Sequence, residues 1–398
     1  MDTNASPSPL AHLDSNATAF VQRIVASARD YLGAHVSFLA ELNEDAKIVR
    51  AVAGPAAAAG LPVGARFELE DTYCHRVLQG CLPDAVYDAR VDVRSRDIPL
   101  TERLGIESYM GVPVALPDGR VLGTLCCINF PAEPERRVRD LGFMHFLAGL
   151  VGVQLDESQR AHDLHLQRHD AIHAVLRAGG PRMVVQPIVA LDDGHAIGVE
   201  ALARFDLPVH ATPDIWFHEA WAVGLGVELE LAAVRNALPL LGRLPRDAFL
   251  SLNVSPDTVA SREFAEALAH VDPSRLVVEI TEHAAVDDYQ PVVDAAMRLR
   301  AAGVRIAIDD VGAGYASLRH VLQLAPHIAK LDMSLTRGVD CDPAKQAMVA
   351  GMMAFAMRTG VIVVAEGVET AGEAQALCDV GVRFAQGFLL ATPAELRA

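Results

Sequence analysis

The sequence predicts an α/β chain in two parts, an N-terminal α+β domain and a C-terminal closed (β/α) barrel. Three observations carry this. From Arg182 onward, strand-like apolar runs alternate with helical stretches, the pattern of a parallel sheet with crossover helices. Counting MVVQPIV, eight strand candidates fall within roughly 220 residues, enough to close a barrel. Earlier in the chain the strands come as neighbours instead. An Asp118-Gly119 pair between YMGVPVAL and RVLGTLCCINF marks a hairpin, because Asp-Gly accepts the positive φ of a two-residue turn.

Within residues 18–155, a helix at 17–31 precedes strands at VSFLAEL and KIVRAVAG. A loop and helix follow at DTYCHRVLQG, then the hairpin, then a closing helix at about 136–155. Residues 156–180 read as a polar linker helix ending at Gly179-Gly180, a natural C-cap. His162, His165, His169 and His173 recur at steps of three, four and four and so share one face. Such a stripe suits a metal held across a dimer, a group titrating near neutral pH, or a solvated, partner-facing surface. In the barrel, helices are expected near 225–242, 261–270, 289–302, 343–359 and 369–379.

Composition narrows the function. The 398 residues leave room for two domains, and 51% hydrophobic with 21% charged residues is globular. A formal net charge of −17 disfavours DNA or RNA polymers as partners, though not a small anion whose charge a bound metal offsets. No apolar run reaches the ~20 residues of a membrane helix. The start, MDTNASPSPLAHLDS, lacks the basic end and apolar core of a signal peptide. A cytoplasmic protein with no membrane partner is expected. The six cysteines show no zinc spacing and read as reduced, buried thiols.

Seven of the strand candidates carry polar residues at their ends: IGVEALAR (Glu200, Arg204), FLSLNVS (Asn253), LVVEITE (Glu279, Glu282), VRIAIDD (Asp309, Asp310), IAKLD (Lys330, Asp332), VIVVAE (Glu366) and VRFAQG (Gln386). In a (β/α) barrel these ends meet at one mouth. Glu200, Asn253, Glu279 and Asp309 then offer oxygen ligands from four strands, the inventory of a hard-cation site. Asp310 points away from Asp309 and suits a second ion that Asp309 bridges. Two such ions about 3.5–4 Å apart clamp the attacking and leaving oxygens of a phosphoryl displacement. Lys330, one of three lysines in the chain, would orient the attacking water or stabilise transition-state charge. Glu366 would accept a proton or hold a metal-bound water, and Arg204 suits a phosphate oxygen. Each residue alone is as easily a solvated rim group; their joint occurrence at successive strand ends carries the argument.

The motifs QPIV (186–189), EAL (200–202), LNVS (252–255), EITE (279–282), DDVGAGYASL (309–318), KLD (330–332), AEGVE (365–369) and QGF (386–388) occur in one order. Over residues 182–392 the chain thereby resembles the EAL domain, the cyclic-di-GMP phosphodiesterase family. The resemblance implies a modified TIM (β/α) barrel of EAL type with an antiparallel first strand. It implies hydrolysis of cyclic di-GMP to linear pGpG with two Mg2+ or Mn2+ ions. Carried across by motif, Glu200, Asn253, Glu279 and Asp309 would bind the first ion, and Asp309 with Asp310 the second. Lys330, Glu366 and Gln386 would complete the catalytic set, Gln386 also lying with Gln186 and Arg204 on the substrate side. Glu282 would anchor the loop after Asp310. The chain departs from the family at Val185, where an aromatic is usual, and at Val311, Ala313 and Ala316, where Phe, Thr and Ser are usual. The stretch after Arg204 is also unusual. None of these removes a ligand.

Residues 18–155 resemble a GAF domain in the order of elements and in SYMGVPV and GTLCCINF. This implies a sensor that chiefly dimerises or that binds a small ligand, unknown from the residues. The cyclic-nucleotide NKFDE pattern is absent. Cys74-His75 looks like a bilin site, but IPLTERLG occupies the place of the main attachment cysteine, and Cys74 shares its helix with Val77 and Leu78, as a packed thiol does. The expected protein is a homodimeric, GAF-regulated cyclic-di-GMP phosphodiesterase: a GAF-like sensor domain at 18–155, a linker helix at 156–180 and an EAL phosphodiesterase domain at 181–398. The competing reading is a catalytically silent receptor that binds cyclic di-GMP without cleaving it.

Overall fold

A computed structural model of the chain describes residues 14–43, 45–55, 60–70, 72–131, 137–206, 212–281, 290–312 and 321–396. The chain divides into two compact units, Met1–Leu164 and His165–Ala398.

In the first unit, helix α1 (Ser15–Leu32) begins where Asp14 accepts the Ala17 N–H and ends at Gly33 in the left-handed region. The sheet is antiparallel, in the order β3 (Arg66–Glu68), β2 (Ala46–Ala53), β1 (Val36–Leu42), β6 (Val121–Ile128), β5 (Tyr109–Ala115), β4 (Ala85–Val86). Successive side chains alternate between its faces. Leu39, Val112, Leu125 and Cys127 pack with Val21 and Val25 of α1 and with Met144, Leu147 and Val151. Phe38, Tyr109 and Cys126 pack the other way, with Tyr73 and Cys74 of α2 (Tyr73–Leu78). The β5–β6 connection differs from the expected two-residue turn. Gly119 alone takes positive φ, and Leu116 pairs with Arg120, giving a three-residue loop with the glycine in its left-handed position. The short β3, β4 and helix Pro99–Arg103 carried no periodic signal and were not expected.

The closing and linker helices are one uninterrupted helix, Arg137–Arg177. Nothing between Val153 and Arg177 is glycine or proline, so no residue stops it. It ends as expected at Gly179 and Gly180, both at positive φ, with the Gly180 N–H on the Val175 carbonyl. Of the six cysteines, Cys81 and Cys341 are exposed, so the expectation of six buried thiols holds only in part.

The second unit is a closed eight-stranded barrel: β7 (Arg182–Ala190), β8 (Ala196–Arg204), β9 (Phe249–Val254), β10 (Leu276–Ile280), β11 (Arg305–Val311), β12 (Ile328–Leu331), β13 (Ile362–Ala365) and β14 (Phe384–Ala385). Strand β7 is antiparallel to both neighbours, β8 and β14, and the other pairings are parallel. This is the modified barrel implied above. Ile188, Phe249, Val277, Ala307, Ile328 and Val364 form one buried cluster contributed by six strands. Two residues further along each parallel strand stand Ser251, Glu279, Asp309, Lys330 and Glu366; on the reversed β7, Gln186 precedes Ile188 instead. Period-two alternation thus lays a polar ring directly on an apolar floor. The unusual stretch after Arg204 contains a helix, Pro213–Ala222, started by a proline after Thr212.

Gly387 follows Gln386 where a Cβ would meet the Val368 backbone. Gly387→Ala is therefore expected to lower the stability of the barrel unit by about 1–3 kcal/mol, read as a lower urea midpoint at unchanged slope.

Candidate active site

The ring is built around one ammonium. Lys330, 1% exposed, places Nζ 2.5 Å from Glu279 Oε2, 2.6 Å from Glu366 Oε1, 3.3 Å from Glu200 Oε2 and 3.4 Å from Asp309 Oδ1. Those residues come from five strands or strand ends, β12, β10, β13, β8 and β11, so only barrel closure unites them. Amides extend the network. Asn253 Nδ2 donates to Glu200 Oε1 at 2.5 Å, and Gln386 Nε2 donates to Glu200 Oε2 at 2.7 Å and to Gln186 Oε1 at 2.8 Å. Gln186 Nε2 in turn donates to the Ala391 carbonyl at 2.9 Å.

The pairing of β11 with β12 is irregular between Ile308 and Val311, where Asp309 and Asp310 sit. Asp310 takes φ 52°, a left-handed conformation that costs a non-glycine residue energy but that aspartate tolerates best. Such a bulge re-aims a side chain. As a result Asp309, Asp310 and Glu366 bring carboxylate oxygens within 4.8 Å of one another.

One ammonium cannot neutralise this many carboxylates in a buried setting, so part of the cluster retains protons. Burial, reinforced by Glu200 and Asp309 against the pull of Lys330, pushes Glu279 up to about 8. Burial and the neighbouring Asp309 and Asp332 push Asp310 up to about 6. Burial also drives Glu366 well above the usual carboxylate range. Burial works against the Lys330 charge, but Asp309, Glu200, Glu279 and Glu366 outweigh it and raise its pKa well above the usual value.

The residues present fit a divalent hard cation. Asn253 Oδ1 and Gln386 Oε1 are buried and accept no hydrogen bond, and Asp309 Oδ1 has only the Lys330 ammonium, at 3.4 Å. Beside them stand carboxylates whose excess negative charge a dication would relieve. Buried oxygens without donors are otherwise rare.

The structure brings Gln186, Glu200, Asn253, Glu279, Asp309, Asp310, Lys330, Glu366 and Gln386 together. Arg204 ends β8, its guanidinium donating to the Ala203 carbonyl at 2.7 Å. Glu282 and residues 313–320 of the DDVGAGYASL motif lie outside the described residues. Sequence reasoning missed Ser251, whose hydroxyl donates to Glu279 Oε1. Its signal was present, since it lies two residues before Asn253 on the same strand face. Asp332, at the end of the KLD motif, shares a hydrogen bond with Asp310 and accepts the Ser334 N–H. Glu230, also missed, is buried and accepts from the Ser255 N–H and hydroxyl, fixing the end of β9 next to Asn253. Only tertiary pairing identifies it.

Fold and ring together define a (β/α)-barrel protein with a carboxylate-rich mouth. Residues 169–393 match the EAL domain model and residues 16–155 the GAF domain model. The first match covers more than half of the chain, and the chain belongs to the EAL-domain family. It is similar to two Pseudomonas aeruginosa proteins. Cyclic di-GMP phosphodiesterase RocR is 31% identical over 229 residues, covering 52% of this chain and 56% of RocR. Cyclic di-GMP phosphodiesterase PA2567 is 31% identical over 273 residues, covering 66% of this chain and 45% of that protein. Among solved structures, the PaMucR phosphodiesterase in complex with c-di-GMP is similar, with 30% identity, 57% of this chain and 98% of that chain covered, and a TM-score of 0.52. The chain thus spans about half the length of these two curated relatives. Among the described residues no helix is long and apolar enough to cross a membrane.

A carboxyl whose pKa rises on folding binds its proton more tightly in the folded state. Its contribution to stability is complete below the unfolded value near 4 and is lost as pH rises through the folded value. In chelator, the melting temperature is therefore expected to fall as pH rises from about 4 through about 8, the contribution of Asp310 being lost by about 6 and that of Glu279 by about 8. Added Mg2+ or Mn2+ should restore more stability at the upper end, because ligand carboxylates must shed protons to bind it. A flat chelated profile would contradict the charge excess.

Proposed function

We propose that this chain hydrolyses the second messenger cyclic di-GMP to linear pGpG in a reaction that depends on Mg2+ or Mn2+. The observation that carries the reading is the buried ring of Glu200, Glu279, Asp309 and Glu366 around Lys330, with donorless amide oxygens beside it. Family membership and the activity named for its relatives support the substrate.

In this reading Glu200, Asn253, Glu279 and Asp309 would hold one cation and Asp309 with Asp310 a second, Glu366 lying within reach of both aspartates. A divalent ion bound there supplies Lewis-acid polarisation of the phosphodiester and lowers the pKa of water. The protein's own groups do the rest. Lys330 keeps its proton at Nζ and sets a fixed positive charge where charge grows on the transferring phosphoryl group. Glu366, raised by burial, is a base that takes a proton at its carboxylate and retains it. Gln186, Gln386 and Arg204 orient the dinucleotide, and the apolar floor keeps water from beneath the ring. Residues 181–398 form the phosphodiesterase domain, 156–180 the linker helix segment and 18–155 the sensor that regulates it. The chain works as a cytoplasmic homodimer.

Chromatography of cyclic di-GMP incubated with purified protein and Mg2+ or Mn2+ tests this directly. Linear pGpG is expected from the wild type and none from Glu200→Ala. Lys330→Ala should lower kcat by about 10²–10³-fold while changing metal affinity much less, with circular dichroism confirming the fold. Full activity in Glu200→Ala would overturn the ligand assignment. Dinucleotide binding without turnover, with or without residues 1–178, would instead identify a receptor.

A further inference from the structure

The first unit contains a buried polar cluster that the barrel chemistry does not use. Cys74 on α2 and Cys126 on β6 are both fully buried, with sulfurs 3.6 Å apart. The Tyr109 hydroxyl touches both, at 3.7 Å and 3.3 Å, and Cys126 Sγ donates to Thr124 Oγ1 at 3.1 Å. Lys47 is buried on the same side of the sheet, its ammonium 4.5 Å from the Phe38 ring centre and 4.9 Å from that of Phe67. Among the described residues no carboxylate pairs with it. A cavity of about 10 Å³, room for one water-sized molecule, is lined by Phe38, Lys47, Leu61, Tyr73 and Tyr109 among others.

The two thiols are not equivalent. Burial opposes ionisation of Cys74, but the hydrogen bond with Cys126 and the Lys47 charge outweigh it and hold that thiol well below its ordinary range. Burial and the neighbouring Cys74 push Cys126 well above it. One sulfur is thus disposed to be a thiolate nucleophile beside a second held as a thiol. The Lys47 ammonium, held over two aromatic rings and without a carboxylate partner among the described residues, favours a negative charge on the nearby thiol.

We propose that Cys74 and Cys126 are a reversible redox dithiol, oxidised to an intramolecular disulfide by a small hydroperoxide such as hydrogen peroxide. The Cys74 thiolate attacks one peroxide oxygen and the O–O bond breaks. Cys74 becomes the sulfenic acid, the peroxide is reduced by two electrons, and the departing hydroxide takes a proton to leave as water. The Cys126 sulfur then attacks Cys74 sulfur. The S–S bond forms, the S–OH bond breaks, and the hydroxyl leaves as a second water with the Cys126 proton. The sulfurs need to close by about 1.5 Å to reach bonding distance, within reach of side-chain rotation. A dithiol reductant reverses the step. Cys127 is excluded by strand alternation: it faces the other core, with Sγ 3.9 Å from Met144 Sδ.

The test is peptide mapping of the full chain under non-reducing conditions after brief exposure to excess hydrogen peroxide. A cross-linked pair of peptides bearing Cys74 and Cys126, lighter by two hydrogens and separated again by dithiothreitol, is expected. The link should persist in Cys127→Ala. In Cys126→Ala it should be lost, and dimedone should instead label Cys74. Recovery of Cys74 and Cys126 as free thiols, or a link that survives Cys126→Ala, would overturn the proposal. Circular dichroism of each variant excludes misfolding as the cause of a loss.

Discussion

The carboxylate ring of the second unit is organised around the charge of Lys330. One ammonium, shut away from water, faces carboxylates from four other barrel strands or their ends. Removing that charge would leave several buried anions repelling one another in a medium that screens them poorly. Removing the barrel would leave nothing to bring them together. The ring is held by the closed sheet and at the same time stores an excess of negative charge that the protein alone does not balance. A site of this kind is unsatisfied by design of its residues, and a dication is the simplest species that satisfies it.

Two backbone features make that geometry reachable. The reversed β7 turns Gln186 toward the ring from a strand running the other way, so an amide reaches Glu200 through Gln386. The bulge at Asp309–Asp310 breaks the alternation that would otherwise bury one aspartate in the ring and send the other outward. Asp310 accepts a left-handed conformation there, and Asp332 shares a hydrogen bond with it. Strain at one residue yields two adjacent carboxylates on the same side, which regular alternation cannot provide.

The first unit shows the same economy on a smaller scale. Its sheet separates two cores, and the adjacent Cys126 and Cys127 belong to different ones. The core with Cys126 carries a lysine, two tyrosines and two thiols, and a cavity of about 10 Å³ lies beside the lysine and the tyrosines. A purely structural core would fill those positions with hydrocarbon, because each buried polar group costs more than it returns unless paired.

Much of this was legible in the residues. Strands β1, β5, β6 and those of the barrel follow from apolar runs, and the helix stop at Gly179-Gly180 from glycine chemistry. The polar residues at the strand ends, and their order, identify the family. These signals are local: a period of two, a cap, a motif. What the tertiary structure decided is who meets whom. Lys330 lies 130 residues from Glu200, and no local pattern says that its ammonium sits among four carboxylates, that Glu366 joins Asp309 and Asp310, or that Ser251 and Glu230 steady the ring. The merging of two expected helices into one was decided by an absence of breakers, and the three-residue loop at Gly119 by pairing beyond the turn. The sequence by itself determined which groups line each strand, since alternation is a property of one chain segment. Only closure of the sheet determined their mutual distances, because those depend on register and curvature summed over eight strands.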